Sequence, residues 1–281
     1  MAETQEGSLA RHAVAAACLT FLFVARAAAQ WQPQQPQVVP APPSPEFLSR
    51  YDFHLSVDSL MPPKDTPEEI ADERFSWETH FGGSFDVVDL VFARAGATID
   101  YEAVEGSEYR PFDPNQGNYT LEGFVLARTG RFEVGPVFHH VSRHLGDRPK
   151  RQAIAWNELG GRVLDRREFG KTSLDVDLEG GYAVQHSFVD YTWISDARLL
   201  VKHPINGVVG IFGTAWGQLV GVNESLGRST QTGGRVEVGV RVSGRGAVME
   251  LYVGYENRVD AYPLDHVPQH WALTGLRLVS R

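Results

Sequence analysis

The sequence predicts an all-β protein, an antiparallel transmembrane β-barrel of about twelve strands that follows an extended N-terminal linker. Three observations predict this fold. From residue 74 onward, segments of roughly ten residues alternate apolar and polar side chains. Short and long connections alternate between these segments, as in barrels that cross a membrane. A short apolar segment near the N-terminus has the pattern of a secretory leader.

The leader covers residues 1–29. Residues 12–29 read HAVAAACLTFLFVARAAA, a short apolar run that ends in small residues. Ala27 and Ala29 form an A-x-A pattern, which predicts cleavage after Ala29. A short buried helix is the alternative interpretation. Cleavage would remove Cys18, the only cysteine, and an exported chain without thiols is compatible with the bacterial envelope.

Residues 30–73 are predicted to form a periplasmic linker. Proline and glutamine dominate residues 31–50, a composition typical of extended chain. The stretch 51–70 contains the alternating piece FHLSV and then PPKDTPEE. We assign no barrel strand to it.

The barrel is predicted to occupy residues 74–281. In 172–182, Leu174, Val176 and Leu178 fall on one face, while Asp175 and Asp177 fall on the other, because successive side chains of a strand point to opposite faces. The residues around Val236 and Val238, opposed by Glu237, repeat this design. The predicted strands are 74–82, 85–94, 96–103, 119–128, 131–141, 152–164, 171–184, 190–203, 206–221, 232–244, 246–258 and 268–279.

The connections differ in length in a regular way. Those at 94–96, 128–130 and 244–245 are tight turns, whereas 104–118, 142–151, 222–231 and 259–267 are longer loops. Short periplasmic turns and long outer loops are typical of outer-membrane barrels. The short connection Gly82-Gly83-Ser84 departs from this alternation, since a long loop is expected there.

Composition excludes several classes of protein. The chain has 281 residues, 26 Lys+Arg and 35 Asp+Glu, a formal net charge of −9. This acidic balance without a basic run argues against a nucleic-acid partner. A single cysteine excludes a disulfide scaffold and a cysteine-ligated zinc site, and no cofactor is predicted.

Periodicity alone does not separate a barrel in lipid from a soluble β-sandwich, and a secreted or periplasmic all-β fold remains the alternative. Aromatic residues near strand ends favour the membrane, because outer-membrane barrels carry aromatic girdles at both interfaces. We expect such girdles from Trp77, Trp193, Trp216, Trp271, Tyr182, Tyr191 and Tyr255. The location predicted is therefore the outer membrane, with its lipid bilayer as the partner.

One segment of the fifth predicted strand could carry chemistry. Alternation places Phe138, His140 and Ser142 on the apolar, lipid-facing side, with His139 on the opposite face. A neutral imidazole beside a hydroxyl can act as general base for a serine nucleophile. Three histidines within six residues could instead bind a metal or form a solvated rim with Asp147.

A His-x-Ser pair late in the fifth strand of a twelve-stranded barrel, on its lipid-facing side, resembles the outer-membrane phospholipase A family. The resemblance implies that Ser142 is the nucleophile, His140 the base and Asn157, on the sixth strand, the residue that orients the base. It also implies a phospholipid substrate and a homodimer that completes the oxyanion site. The family continues Asn-Gly-Arg after the serine, whereas this chain has Arg143-His144-Leu145-Gly146-Asp147. Because of this departure, the resemblance does not extend to the residues that follow the serine, on which the expected hydrolytic activity and the calcium site of the family depend.

The stretch 140–147, together with Trp156-Asn157-Glu158, is also similar to an uncharacterised outer-membrane barrel family, a domain of unknown function (1207). That resemblance implies the fold and the location but no activity. Two functions therefore remain open. One is an outer-membrane barrel with a structural, binding or minor channel role, and the other is a phospholipase A-like acyl hydrolase.

Inward-facing acidic residues on several strands bear on the channel role. Glu237 and Glu250 would favour cations in an open pore. About twelve strands enclose a narrow lumen, however, and Arg235, Arg241 and Arg277 are placed to pair with these carboxylates. We therefore expect an interior filled by a salt-bridge network.

Overall fold

A computed structural model describes residues 33, 37–63, 72–146, 149, 153–224 and 227–280. Twelve antiparallel strands form one closed barrel in which each strand pairs with its sequence neighbours and β1 pairs with β12. The strands are β1 Glu46–Met61, β2 Trp77–Asp89, β3 Ala93–Gly106, β4 Asp113–Thr129, β5 Phe132–Leu145, β6 Ile154–Phe169, β7 Thr172–Ser187, β8 Tyr191–Pro204, β9 Val209–Val222, β10 Gln231–Ser243, β11 Ala247–Arg258 and β12 Gln269–Ser280. The predicted fold class is confirmed.

The first strand corrects the predicted domain boundary. β1 spans Glu46–Met61, inside the segment 30–73 that composition assigns to a linker, so that assignment is wrong for these residues. Its outward side chains are Phe53, Leu55 and Val57, and its inward ones include His54 and Ser56. Apolar and polar side chains alternate in FHLSV as they do in a strand, but the proline-rich sequence on both sides favoured a linker. The predicted leader lies outside the described residues.

A second correction concerns β2. The predicted strands 74–82 and 85–94 are one strand, Trp77–Asp89, that runs through Gly82 and Gly83. A Cβ on Gly83 would lie 2.2 Å from the Asp52 carbonyl oxygen, and one on Gly82 would lie 2.2 Å from the Ile99 carbonyl oxygen. These glycines therefore serve close approach between strands, not a turn. The prediction of twelve strands holds because one strand was missed and another was divided.

The two ends of the barrel differ in their connections. At the turn end, strands are joined by short connections such as 130–131 and 170–171, in which Gly130 and Gly170 adopt positive φ angles of 62° and 63°. Glycine adopts this conformation without steric cost. At the loop end, most connections are longer, among them 62–76, 223–230 and 259–268. The first residue of β1 and the last residue of β12 both lie at the turn end.

The two surfaces of the barrel wall are inverted relative to a soluble protein. Val238 on the outer surface is 61% exposed and Phe81 is 67% exposed, whereas Asp175 and Glu237 inside are 7% and 4% exposed. An apolar outer surface together with a polar lumen is typical of barrels that cross a membrane. Within the described residues, no helix combines the length and apolar character needed to cross a bilayer.

The predicted aromatic girdle is correct only in part. Tyr182 and Tyr255 are exposed on the outer surface, and Trp77 is partly so. The side chains of Trp216 and Trp271, in contrast, are 3% exposed and lie in the lumen. Tyr191 is buried as well and donates a hydrogen bond to Asp260 Oδ2 at 2.9 Å. An aromatic residue near a strand end can thus face either the outer surface or the lumen.

Candidate functional site

A row of polar side chains crosses the outer surface near the loop end. His140, Ser142 and His144 alternate along β5, Asn157 lies on β6 and Gln185 on β7. The register aligns His140 with Asn157 and Asn157 with Gln185. We call these five residues the outer polar row. Because cross-strand neighbours lie about 5 Å apart, the sheet itself brings these side chains together.

His140 and Asn157 form a direct hydrogen bond. His140 Nδ1 lies 2.7 Å from Asn157 Oδ1. An amide oxygen only accepts, so Nδ1 of His140 carries the proton and Nε2 of the neutral ring is left as an acceptor. Asn157 Nδ2 in turn donates to Gln185 Oε1 at 2.9 Å, which fixes the orientation of the Asn157 amide.

Ser142 has a different partner from the one expected. Its Oγ lies 2.9 Å from His144 Nε2, and within the part of the chain that is described no hydrogen bond joins Ser142 to His140. The Tyr119 ring packs edge-on against His144, with ring centroids 5.4 Å apart. The structure thus joins His140 to Asn157 and places Ser142 on the same face, with its hydroxyl turned toward His144.

Sequence reasoning placed His144 on the same face as His140 by alternation, but considered it only as a metal ligand or a rim residue and not as a partner of Ser142. It gave no role to Gln185 or Tyr119. Gln185 and Tyr119 lie on other strands, and only the register places Gln185 opposite Asn157 and Tyr119 opposite Ser142.

The third histidine of the segment faces the lumen, as alternation predicted. His139 Nε2 lies 2.5 Å from Glu179 Oε1 and 3.4 Å from Glu122 Oε2. The wall therefore separates His139 from His140 and His144. A site that uses all three histidines does not form in this structure.

Ion pairs extend across the lumen. Arg235 is fully buried and contacts Asp58 at 2.6 Å, Glu237 at 2.7 Å and Glu256 at 3.0 Å. Arg277 also pairs with Glu237, so the predicted pairing of these groups is confirmed. Further buried pairs join Arg258 to Glu78, Glu102 and Glu256, and Arg162 to Glu122, Asp177 and Glu179.

In the part of the chain that the structure describes, three groups of side chains have donor atoms close enough for a metal ion. They are Glu78, His80 and Glu102; Glu122, His139 and Glu179; and Asp190, Asp260 and His266. In each group the carboxylates already contact an arginine, which is Arg258, Arg162 or Arg228 respectively. Since a guanidinium neutralises these carboxylates, we interpret the groups as parts of the ion-pair network.

The loop 259–268 folds over the lumen at the loop end. Arg143 donates to the Asp260 and Ala261 carbonyl oxygens at 2.7 and 2.9 Å, and Ala261 is completely buried. Arg228 contacts Asp260 at 2.7 Å and Asp190 at 2.6 Å. Burial alone would lower the pKa of Arg228, but its hydrogen bond and ion pair with Asp260 outweigh burial and raise that pKa. The loop is thereby tied to the wall.

These features define a membrane-spanning β-barrel with a polar row on its lipid-facing surface. Compared with solved structures, the chain is similar to outer membrane phospholipase A from Escherichia coli, with 16% identity over 82% of this chain and 92% of that chain and a TM-score of 0.48. The chain is also similar to the calcium-bound dimer of the Salmonella typhi outer membrane phospholipase, with 16% identity over 82% of this chain and 90% of that chain and a TM-score of 0.48. For OmpT, an outer membrane protein of Vibrio cholerae, the identity is 10% over 82% of this chain and 96% of that chain, with a TM-score of 0.39. No conclusion about the activity of this chain rests on these similarities.

No model of a known protein family matches the sequence, and no curated protein matches it. The resemblance to the domain of unknown function (1207) therefore stays a prediction.

Proposed function

We propose that the protein resides in the bacterial outer membrane and hydrolyses acyl esters of membrane phospholipids. The observation that carries the proposal is the 2.7 Å hydrogen bond between His140 and Asn157 on the lipid-facing surface, with Ser142 two residues farther along the same face. Nucleophile, base and orienting group are the three parts that serine acyl transfer requires.

The position of the outer polar row supports a functional role. A polar group transferred to an apolar environment costs free energy, and ionisable residues at lipid-facing depth are functional candidates by default. Ser142 lies three residues before the loop-side end of β5, about 10 Å along the strand. We propose that this level of the barrel meets the ester groups of phospholipids, which border the hydrocarbon core.

The proposed reaction has two steps. Ser142 Oγ attacks the ester carbonyl while its proton passes to His140 Nε2, and His140 then protonates the departing lysophospholipid alkoxide. Water, deprotonated by the same nitrogen, then attacks the acyl-Ser142 ester, and His140 Nε2 returns the proton to Ser142 Oγ as the bond to the acyl group breaks and the fatty acid leaves. Asn157 keeps Nδ1 of His140 protonated and its ring oriented throughout.

Substrate binding must turn the Ser142 hydroxyl from His144 to His140. Rotation about the Cα–Cβ bond of a serine moves Oγ between staggered positions and requires no backbone change. Catalytic hydrogen bonds are often incomplete in the absence of substrate, so the present contact with His144 is compatible with the proposal.

The test measures fatty acid release from phospholipid in mixed micelles by the purified full-length barrel. We expect Ser142→Ala and His140→Ala to abolish release. His203→Ala is the matched control, because His203 lies on the outer surface at the turn end, where it contacts Thr172 at 2.9 Å. If the unaltered protein releases no fatty acid, or if Ser142→Ala releases it at the same rate, the hydrolase assignment is wrong.

A structural, non-catalytic barrel is the second candidate function, and the buried ion pairs of the lumen favour it over a channel. Arg235 and Arg258 extend into the lumen in the loop-end half of the barrel, where they contact carboxylates of other strands. Lack of hydrolysis together with lack of ion conductance in planar bilayers would support this candidate.

A further inference from the structure

Among the described residues, buried apolar side chains form three clusters within the barrel, and one of these clusters is a patch toward the turn end. Phe124, Leu126, Val137 and Leu164 pack together on the inner surface of β4, β5 and β6 toward the turn end. Each of these side chains is 4% exposed or less. An apolar patch on a water-filled lumen would be unfavourable unless something covers it.

The cover comes from the N-terminal segment of the same chain. Val38 packs against the patch. The side chain of Gln37 accepts a hydrogen bond from Lys202 Nζ at 3.1 Å, and its backbone carbonyl oxygen accepts one from Arg94 Nη2 at 2.9 Å. The backbone nitrogen of Val39 lies 3.4 Å from Glu133 Oε1. We call Gln37–Val39 the plug segment.

The anchors of the plug segment are themselves fixed. Arg94 bridges Asp86 at 2.8 Å and Glu133 at 2.7 Å, and all three side chains are buried in the wall. Lys202 pairs with Asp175 at 2.9 Å. A preorganised set of donors and acceptors therefore receives the segment, together with an apolar surface for Val38.

The plug segment also borders a cavity. The cavity has a volume of about 340 Å³, and its lining includes Pro33, Gln37 and Val38 of the N-terminal segment together with Asp177, Arg198 and Trp216 of the barrel wall. Pro33 contributes its carbonyl oxygen, which lies 3.3 Å from Arg277 Nη1. The N-terminal segment thus forms part of the boundary of this space at the turn end.

We infer that the apolar patch is a docking site for the chain's own N-terminal segment and that this segment is a releasable plug of the turn-end mouth. Only two residues lie between Gln30, the predicted first residue of the mature chain, and Pro33. Removal of the leader would thus leave the plug next to a free chain end, which can enter or leave the lumen without threading a loop. The inference does not depend on the hydrolase activity.

The test measures the reaction of a thiol placed under the plug. In a Cys18→Ser background, Val137→Cys places a single thiol in the patch, and a hydrophilic maleimide reports its accessibility in the folded, detergent-solubilised barrel. We expect slow labelling with the native segment. We expect labelling about tenfold faster or more when Val38→Asp is added, because a carboxylate does not stay against the apolar patch. Ala41→Asp is the matched control, since Ala41 is exposed, and should leave the rate unchanged.

Fast labelling of Val137→Cys with the native segment would overturn the inference, as would slow labelling after Val38→Asp. If Val38→Asp does not fold, as judged by circular dichroism, a second comparison decides. A thiol at Val38→Cys should then react about tenfold more slowly than one at Ala41→Cys. Equal reaction rates would show that Val38 is not docked.

Discussion

His140 and Asn157 are directly opposite each other on neighbouring strands and share a 2.7 Å hydrogen bond on the outer surface of the barrel. The backbone pairing of β5 and β6 closes the sheet here without the help of either side chain. It orients an imidazole whose second nitrogen is an acceptor two residues from a serine. The pair is therefore the starting point for the predictions on activity.

Removal of the orienting group should reduce activity without abolishing it. We expect Asn157→Ala to lower fatty acid release by about 10- to 1000-fold, because His140 loses the partner that selects its tautomer. Gln185→Ala should have a smaller effect, since Gln185 touches only the Asn157 amide. Initial rates on one phospholipid substrate provide the measurement. A Gln185→Ala effect equal to that of Asn157→Ala would argue against this order.

The two histidines that flank Ser142 should differ in their importance. His140→Ala removes the proposed base and should cost about 100-fold or more in kcat. His144→Ala removes the present partner of the serine hydroxyl and should leave at least about a tenth of the activity. Measurement of kcat for both variants in the same assay distinguishes the roles of the two histidines. An equal or larger loss in His144→Ala would identify His144 as the base.

The outer surface should tolerate charge poorly at mid-height. Val238 is 61% exposed near the middle of β10, so Val238→Arg should destabilise the barrel by about 2–4 kcal/mol in lipid. Val208→Arg, at an exposed turn, is the matched control and should cost about 1 kcal/mol or less. Denaturant unfolding in lipid vesicles measures both. Equal, small effects would contradict the membrane-spanning assignment.

Removal of one partner from a buried ion pair should strongly lower the free energy of unfolding. Arg235→Ala leaves Asp58, Glu237 and Glu256 without their shared guanidinium and should destabilise the fold by about 3–5 kcal/mol. Arg131→Ala removes an exposed partner of Asp165 at 3.3 Å and should cost about 1 kcal/mol or less. The same unfolding assay compares them, and similar free energies of unfolding would refute the role assigned to Arg235.

The unaltered barrel should not conduct ions. Arg235 and Arg258 cross the lumen, the loop that contains Ala261 covers one end, and the plug segment lies at the other. Planar bilayer recordings should therefore show no steady conductance. A stable conducting state of the full chain would show that the lumen is open.

The sequence by itself determined the class of fold and much of the strand pattern. Side chains of a strand alternate with a period of two, a local property, so Leu174 and Val236 could be assigned to the outer surface and Asp175 and Glu237 to the lumen before any pairing was known. For the same reason His140 and Ser142 were correctly placed on one face, with His139 on the other.

Only the tertiary structure decided which side chains meet. Ser142 has His140 and His144 at equal sequence distance, and rotation of its side chain, not periodicity, selects His144. The glycines at 82 and 83 signal a turn in the sequence, yet the approach of neighbouring strands explains them. Val38 lies in proline-rich chain without a pattern of its own, and its role follows from a patch formed by β4, β5 and β6. Alternation is encoded within a strand, whereas register, close approach and docking depend on residues far apart in the sequence.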